Sequence, residues 1–451
     1  MNRLGTRAPI VVGSALILVA FAVAATTVAL PSGATTLVAE GATSSYPLAI
    51  EGRTNAYASL AADGQFAVLS WGASTTDGVT DIYAAASTDG GRTFAAPTRV
   101  NQVAGEANLT GEQPPRVALV PRPGSHPTIV VVWTAKATAG TRLMSARSDD
   151  AAKSFAPPIP VPGSEAAGNR GWQSIAIGRD GEVVVVWLDH RALAKDGNGA
   201  ASMQHAEHQH LASGQKPADG VARAQLSKLM FARLGRSDSS RQLTGGVCYC
   251  CKTAIATDAA GGIYTAWRHV YEGNVRDVAV TKSSDGGRTF ASPIRVSNDN
   301  WVLDGCPENG PALAVDDLKR IHVVWPTLVS GATPTSEPTL ALFYAMSLDG
   351  RQFTARQRLP TQGFPRHPQI ALGPGGELLV AWDEQAKGTR HVAFARGAVD
   401  GKGASRFARQ QIGDTARAEY PALTRVADGT LIAWTSGSVG QSVIRTQRIQ
   451  P

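Results

Sequence analysis

Seven of the nine tryptophans in this chain end the same short phrase. In each copy an apolar strand runs into a turn, and a second apolar strand follows and finishes on tryptophan. The copies read "ASLAADGQFAVLSW" to Trp71, "RVALVPRPGSHPTIVVVW" to Trp133, "SIAIGRDGEVVVVW" to Trp187, "TAIATDAAGGIYTAW" to Trp267, "PALAVDDLKRIHVVW" to Trp325, "PQIALGPGGELLVAW" to Trp382 and "PALTRVADGTLIAW" to Trp434. Successive tryptophans stand 62, 54, 80, 58, 57 and 52 residues apart, the length of one four-stranded sheet with its loops. Strand patterning fills each copy, and no long stretch sustains a period of 3.6. A length of 451 residues would by itself suggest two or three domains. The repeat overrides that division and predicts one all-β domain, a seven-bladed β-propeller over residues 35–451.

Only 17 residues follow Trp434, enough for one further strand, "SVIRTQRI". The outer strand of the last blade is therefore expected from the N-terminal side, around "TTLVAEG" (35–41), so that both termini close the ring and leave no exposed sheet edge. Ahead of it, Arg3 and Arg7 precede a charge-free apolar run from Ala8 to Leu30. This reads as an export signal of residues 1–24 with an Ala-x-Ala site at Ala22 and Ala24, or as an uncleaved anchor reaching about residue 30. The expected location is periplasmic or extracellular, with membrane contact only through a retained leader. Without Arg3 and Arg7 the formal charge of +7 becomes +5. Its basic residues are scattered, which suits solubility and anionic ligands and excludes a nucleic-acid-binding stripe. A monomer is expected.

A second motif follows most of the units. "STDGGRTF" (87–94) and "SSDGGRTF" (283–290) are full copies of Ser-x-Asp-x-Gly-x-Thr-aromatic, while "SDDAAKSF" (148–155) and "SLDGRQF" (347–353) are degraded ones. In such a turn the carboxylate accepts backbone N–H groups, glycines take positive φ and the aromatic ring plugs the blade. Asp89 and Asp285 are thus structural. The motif resembles the Asp-box, or BNR repeat, of the sialidase superfamily, and "CYCCKTAIA" with "DGCPENGPALAVD" resembles bacterial exported proteins called exo-sialidase-like. That resemblance covers the whole mature chain and carries a six-bladed ring as the alternative fold.

A working sialidase clamps a sugar carboxylate with arginines and uses a Tyr nucleophile and an Asp acid/base. What the resemblance implies here is a glycoside hydrolase with Tyr420 of "AEYPALT" as nucleophile, Glu419 beside it, Arg366 of "FPRHPQIAL" as carboxylate contact and Asp189 as acid/base. Arg-His-Pro replaces the family's Arg-Ile-Pro and stands in blade six. Strand alternation would also put Glu419 and Tyr420 on opposite faces, which makes Glu419 a poor activator of its neighbour, and the plainer reading of Tyr420 is a ring capping the channel.

Residues just before each inner strand ring the mouth of a propeller's axial channel. Here they include Gln113, Arg170, Glu308, Asn309, Arg366, His367, Glu419 and Tyr420, with Arg268 and Arg276 flanking the mouth loop of blade four. All four cysteines fall at the same rim: Cys248, Cys250 and Cys251 before blade four, Cys306 before blade five. The long 80-residue spacing comes from an insertion at about 189–223, holding Met203, His205, His208 and His210 in "MQHAEHQH" beside blade four. In an oxidising compartment the cysteines suit disulfides, for example Cys248 or Cys250 with Cys306. Thiolate, imidazole and thioether together instead suit a metal, copper or zinc. Three functions remain open on these residues. One is a ligand site at the channel mouth for a metal or an anionic small molecule or glycan, organised by the cysteines with Arg366, Arg268, Arg276, Glu419 and Asn309. The others are a sialidase-type hydrolase and a protein-interaction scaffold.

Overall fold

The computed structural model describes residues 46–193, 217–303, 305, 307–330, 337–399 and 405–450. The leader, Met203, His205, His208, His210 and Cys306 lie outside the described residues. The described chain forms seven four-stranded antiparallel sheets arranged in a ring, a seven-bladed β-propeller. Six blades, the alternative carried by the resemblance, is overturned by this count. The inner strands are Thr54–Asp63, Arg116–Val120, Arg170–Ile177, Ala254–Thr257, Ala312–Val315, Phe364–Leu372 and Ala418–Val426. Each packs against the inner strands before and after it, and the last against the first.

The ring closes with a strand from the N-terminal side, as expected, but from a later stretch. Tyr46–Leu48 pairs antiparallel with Val443–Ile449 and completes the seventh blade, instead of residues around 35–41. A three-residue edge suffices there, because the sheet's buried face is already supplied by the strands inside it.

The repeated tryptophans explain the regularity. All seven are at most 1% exposed, each on the second strand of its blade. Second strands are covered on both faces by neighbouring blades, which is why they read as continuous apolar runs such as Val183–Asp189, buried at every residue. A buried indole N–H usually finds an acceptor, and among the described residues five of the seven do, Trp133 and Trp434 being the exceptions. Trp71 donates to Asn55 Oδ1 at 3.0 Å, Trp187 to Asp189 Oδ2 at 3.3 Å, Trp325 to Asp299 Oδ2 at 2.6 Å and Trp382 to Glu384 Oε2 at 2.9 Å.

The Ser-x-Asp turns join third to outer strands, at the end of the ring away from the inner-strand starts. Asp89 Oδ1 accepts the backbone N–H groups of Arg92 and Thr93 at 2.9 and 3.0 Å, and Asp285 Oδ1 accepts that of Thr289 at 2.9 Å. Gly90 and Gly91 sit at φ +73° and +84°. The degraded copy keeps the same backbone without glycine: Ala151 and Ala152 stand at φ +60° and +62°. A left-handed alanine costs about 1–2 kcal/mol, of which glycine's extra chain entropy returns about 0.5–1. The double substitution Ala151→Gly, Ala152→Gly is therefore expected to raise unfolding free energy by about 1 kcal/mol. A urea transition that moves to lower concentration would contradict it.

The insertion in blade three contributes a helix, Pro217–Leu226, between the second strand and the third strand, Lys228–Arg233. Ala224 and Val221 of this helix pack on Cys248, Cys250, Cys251, Tyr249 and Val270. The described part of the insertion thus packs on blade four.

Candidate functional site

A local irregularity shapes the mouth. In four blades the inner strand slips register against the second strand between Ala56 and Ser59, Gly171 and Ser174, Arg366 and Gln369, and Glu419 and Ala422. Within each slip lies one bulky residue in left-handed conformation: Tyr57 (φ +64°), Trp172 (+54°), His367 (+49°) and Tyr420 (+54°). Glu308, ahead of the inner strand of blade five, has φ +46°. Such conformations cost on the order of 1–3 kcal/mol for residues with a Cβ, and clusters of them mark functional surfaces. A bulge re-aims a side chain that alternation would have placed elsewhere. Glu419 turns to Arg390, whose Nη1 donates to it at 2.8 Å, while the Tyr420 ring packs 5.0 Å from Tyr57 and 4.6 Å from His367.

Charged side chains form the floor. Glu112 enters from the loop before blade two and reaches across the axis, accepting the backbone N–H of Lys252 at 2.7 Å and of Gly310 at 2.8 Å, from blades four and five. Its other oxygen, Oε1, is buried without a partner among the described residues. Gly111, beside it, must be glycine: a Cβ there would fall 2.0 Å from the Tyr420 ring. Lys252 Nζ donates to the Pro368 carbonyl at 2.5 Å, and burial pulls its ammonium down to about 8. Arg116, first residue of its inner strand, donates Nε to the Gln173 carbonyl at 3.0 Å. Its two terminal nitrogens have no hydrogen-bond partner among the described residues, and desolvation lowers the guanidinium to about 10 despite Glu112.

At one side of this floor Asp383 Oδ1 accepts from His367 Nδ1 at 2.6 Å and from the Tyr420 N–H at 3.3 Å. The carboxylate thereby fixes the tautomer and leaves Nε2 as the basic nitrogen. Burial raises the Glu419 carboxyl despite Arg390. Burial, with Glu419, Tyr57 and Asp383 around it, pushes the Tyr420 phenol far above its ordinary value. The ring is held protonated, so it acts as a hydrogen-bond donor unless a base takes its proton.

Of the side chains predicted from sequence, Tyr420, Glu419 and Arg366 lie in this region, Arg366 opposite Asp383 in register. Asp189 is 1% exposed and bound by Arg170 and Arg191; burial opposes ionisation, but the Arg191 hydrogen bonds hold its carboxyl below the ordinary range. It accepts the Trp187 indole and braces the blade. Arg268 is enclosed, giving its donors to the carbonyls of Asn309, Arg276 and Pro326. Arg276 likewise bonds Leu303 O, Asn274 Oδ1 and Cys248 Sγ. Asn309 is buried, its carbonyl on Arg268 and its Oδ1 unpartnered. Sequence reading passed over Tyr57, Glu112, Arg116, Trp172, Lys252 and Asp383. A signal existed for some: Tyr57, Trp172, Lys252, His367 and Tyr420 each stand 14 or 15 residues ahead of their blade's tryptophan.

The cysteines adjoin the floor through Lys252. Cys248, Cys250 and Cys251 are buried, their sulfurs all within 4.8 Å of one another. Cys248 and Cys251 are free thiols and Cys250 is held in a disulfide. Of the two candidates for a disulfide to Cys306, Cys248 is free and Cys250 is the one that is bridged, while Cys306 lies outside the described residues. Burial opposes ionisation of Cys248, yet the Cys251 thiol 3.6 Å away and the Arg276 and Arg268 guanidiniums draw it below the ordinary thiol range. Cys251 is pushed the opposite way by burial and by Cys248.

No protein-family model matches the chain, and no curated protein matches it. Solved structures do share its fold. A polysaccharide lyase described as a new family, an ulvan lyase, is 9% identical with a TM-score of 0.54, covering 91% of this chain and 95% of that one. An α-L-arabinofuranosidase from Fusarium graminearum is 10% identical, TM-score 0.48, covering 91% and 97%. The NanB sialidase of Streptococcus pneumoniae is 10% identical, TM-score 0.44, covering 85% and 83%. At 9% identity the likeness to the ulvan lyase concerns the propeller fold alone.

Proposed function

We propose that this protein, exported by its apolar leader, binds an acidic saccharide at the channel mouth, with the sugar carboxylate on Arg116 and the sugar rings against Trp172 and Tyr57. The observation that carries this reading is the Arg116 guanidinium, partly buried at the head of its inner strand, with two terminal nitrogens that have no hydrogen-bond partner among the described residues. A planar fork of this kind matches a carboxylate with two parallel hydrogen bonds, and aromatic faces beside it suit the apolar faces of sugar rings. Arg116 thus takes the part expected of Arg366, Arg268 and Arg276; the donors of Arg268 and Arg276 are committed to carbonyls, to Asn274 and to Cys248. Calorimetric titration with uronic-acid and sialic-acid oligosaccharides tests it. A charged hydrogen-bonding partner is worth about 1.5–3 kcal/mol, so Arg116→Met should weaken binding at least tenfold, while neutral sugars of equal length bind poorly. Equal affinity for neutral sugars, or an unaffected Arg116→Met protein, would refute the reading.

The Asp383–His367 pair favours a second reading, sialidase-type hydrolysis. His367, rather than Glu419 or Asp189, would then take the proton from Tyr420, its ring 4.6 Å away. New reducing ends appearing in the same titration mixtures, absent with Tyr420→Phe, support catalysis; unchanged oligosaccharides leave a binding protein.

A further inference from the structure

Three sulfur ligands meet at one point beneath the mouth. Cys248 Sγ lies 3.9 Å from Cys250 Sγ and 3.6 Å from Cys251 Sγ. A metal equidistant from three thiolates at a bond length of about 2.3 Å requires sulfurs roughly 4 Å apart, so the side chains already hold the spacing of a trigonal centre. Their backbone is pinned from outside the cluster: Cys248 N–H donates to the Arg268 carbonyl at 2.9 Å, and Lys252 N–H to Glu112. Arg276 Nη1 donates to Cys248 Sγ at 3.1 Å, the kind of outer contact that offsets thiolate charge and orients a ligand. Ala224 and Val221 of the Pro217–Leu226 helix roof the cluster and exclude water.

We propose that Cys248, Cys250 and Cys251 form a three-sulfur cup for one Cu(I) ion, available only when the disulfide of Cys250 is reduced. Soft thiolates select Cu(I) or Zn(II), and the trigonal spacing of these three sulfurs suits Cu(I); the second sulfur released from the disulfide would be the fourth ligand that a structural zinc needs, so the metal preference of the reduced protein decides between them. Among the described residues the cluster comprises these three cysteines and no further His, Cys, Asp or Glu. While Cys250 is bridged, two thiols remain and the cup is incomplete. A dithiol reductant opens it: two electrons and two protons pass to the protein, the S–S bond of Cys250 breaks into two thiols, and the reductant closes into its own disulfide. Binding Cu(I) then releases the protons of the coordinating thiols. The inference is independent of the carbohydrate reading, since Arg116 is not among the ligands.

The test is a competition for Cu(I) between the protein and bathocuproine disulfonate under nitrogen, before and after treatment with dithiothreitol and desalting. Reduced protein is expected to take one Cu(I) per chain, with thiolate-to-copper absorbance below 300 nm, and oxidised protein to bind at least 100-fold more weakly. Cys248→Ser and Cys251→Ser should each weaken binding by at least 100-fold, and Arg116→Met should leave it unchanged. Equal binding by reduced and oxidised protein overturns the proposal without recourse to any variant. So does a reduced protein that prefers Zn(II), or one in which Cys251→Ser binds as tightly as the unaltered chain.

Discussion

Glu112→Ala is expected to remove about 3–5 kcal/mol of stability, a large part of what a domain possesses. The carboxyl joins blade two to blades four and five through the buried N–H groups of Lys252 and Gly310, which have no other hydrogen-bond acceptor among the described residues. Removing it leaves two donors without acceptors in a dry interior, each costing about 1–3 kcal/mol, and leaves the cations Arg116 and Lys252 without their nearest acid. Glu112→Gln separates the two contributions, because its amide oxygen still accepts both hydrogen bonds; it should cost less than half as much. Urea unfolding of the three proteins decides this, and an alanine variant within 1 kcal/mol of the parent would show that Glu112 does not tie the ring across its axis. The same substitution frees the loop in which Gly111 abuts Tyr420, so it should also weaken saccharide binding.

The second large effect is acid lability. His190 is 1% exposed with both ring nitrogens unpartnered among the described residues, and burial lowers its imidazole to about 4. His269 is lowered to about 4 by burial as well, and its Nδ1 accepts the Trp267 indole N–H at 3.3 Å, a bond that protonation removes. Unfolded, both titrate near 6.5. Between pH 6.5 and 4 the unfolded chain therefore binds more protons than the folded one, and unfolding free energy falls as pH falls. The contribution is fully present above pH 6.5. It declines by about 1.4 kcal/mol per unit for each ring, about 3 kcal/mol each by pH 4. His322, lowered by burial despite Asp316, acts in the same sense. Urea midpoints measured from pH 7 to 4 should drop steeply, and His190→Phe, which keeps the ring packed 5.0 Å from Trp172, should flatten the profile by close to half. A parent profile level down to pH 4.5 would show that these rings are hydrated in the folded protein.

The blade count, the closure from the N-terminal side and the structural Asp turns were legible because each is a local rule repeated along the chain. Trp71 through Trp434 mark one register, and a strand buried on both faces has few ways to be written. The outer strand was placed too early, around 35–41 instead of Tyr46–Leu48, since three edge residues carry almost no pattern. The arginines failed for a different reason. Arg268 and Arg276 stand beside the mouth in sequence, but the chain turns them inward onto carbonyls, while Arg116, inconspicuous before "VALV", begins an inner strand at the axis. Strand alternation likewise placed Tyr420 and Glu419 on opposite sides by rule. A bulge with φ +54° decided their actual surroundings.

What the amino-acid order determined alone is the wheel: seven copies of one apolar phrase, each needing its neighbours to cover both faces, have no other way to bury seven indoles. What only the tertiary structure decided is the content of the hub. Glu112, Lys252 and Gly310 come from three different blades, and Asp383, His367 and Tyr420 from two, so no spacing along the chain encodes their meeting. Contacts across an axis depend on how seven sheets twist and pack, a property of the closed ring and of no single repeat.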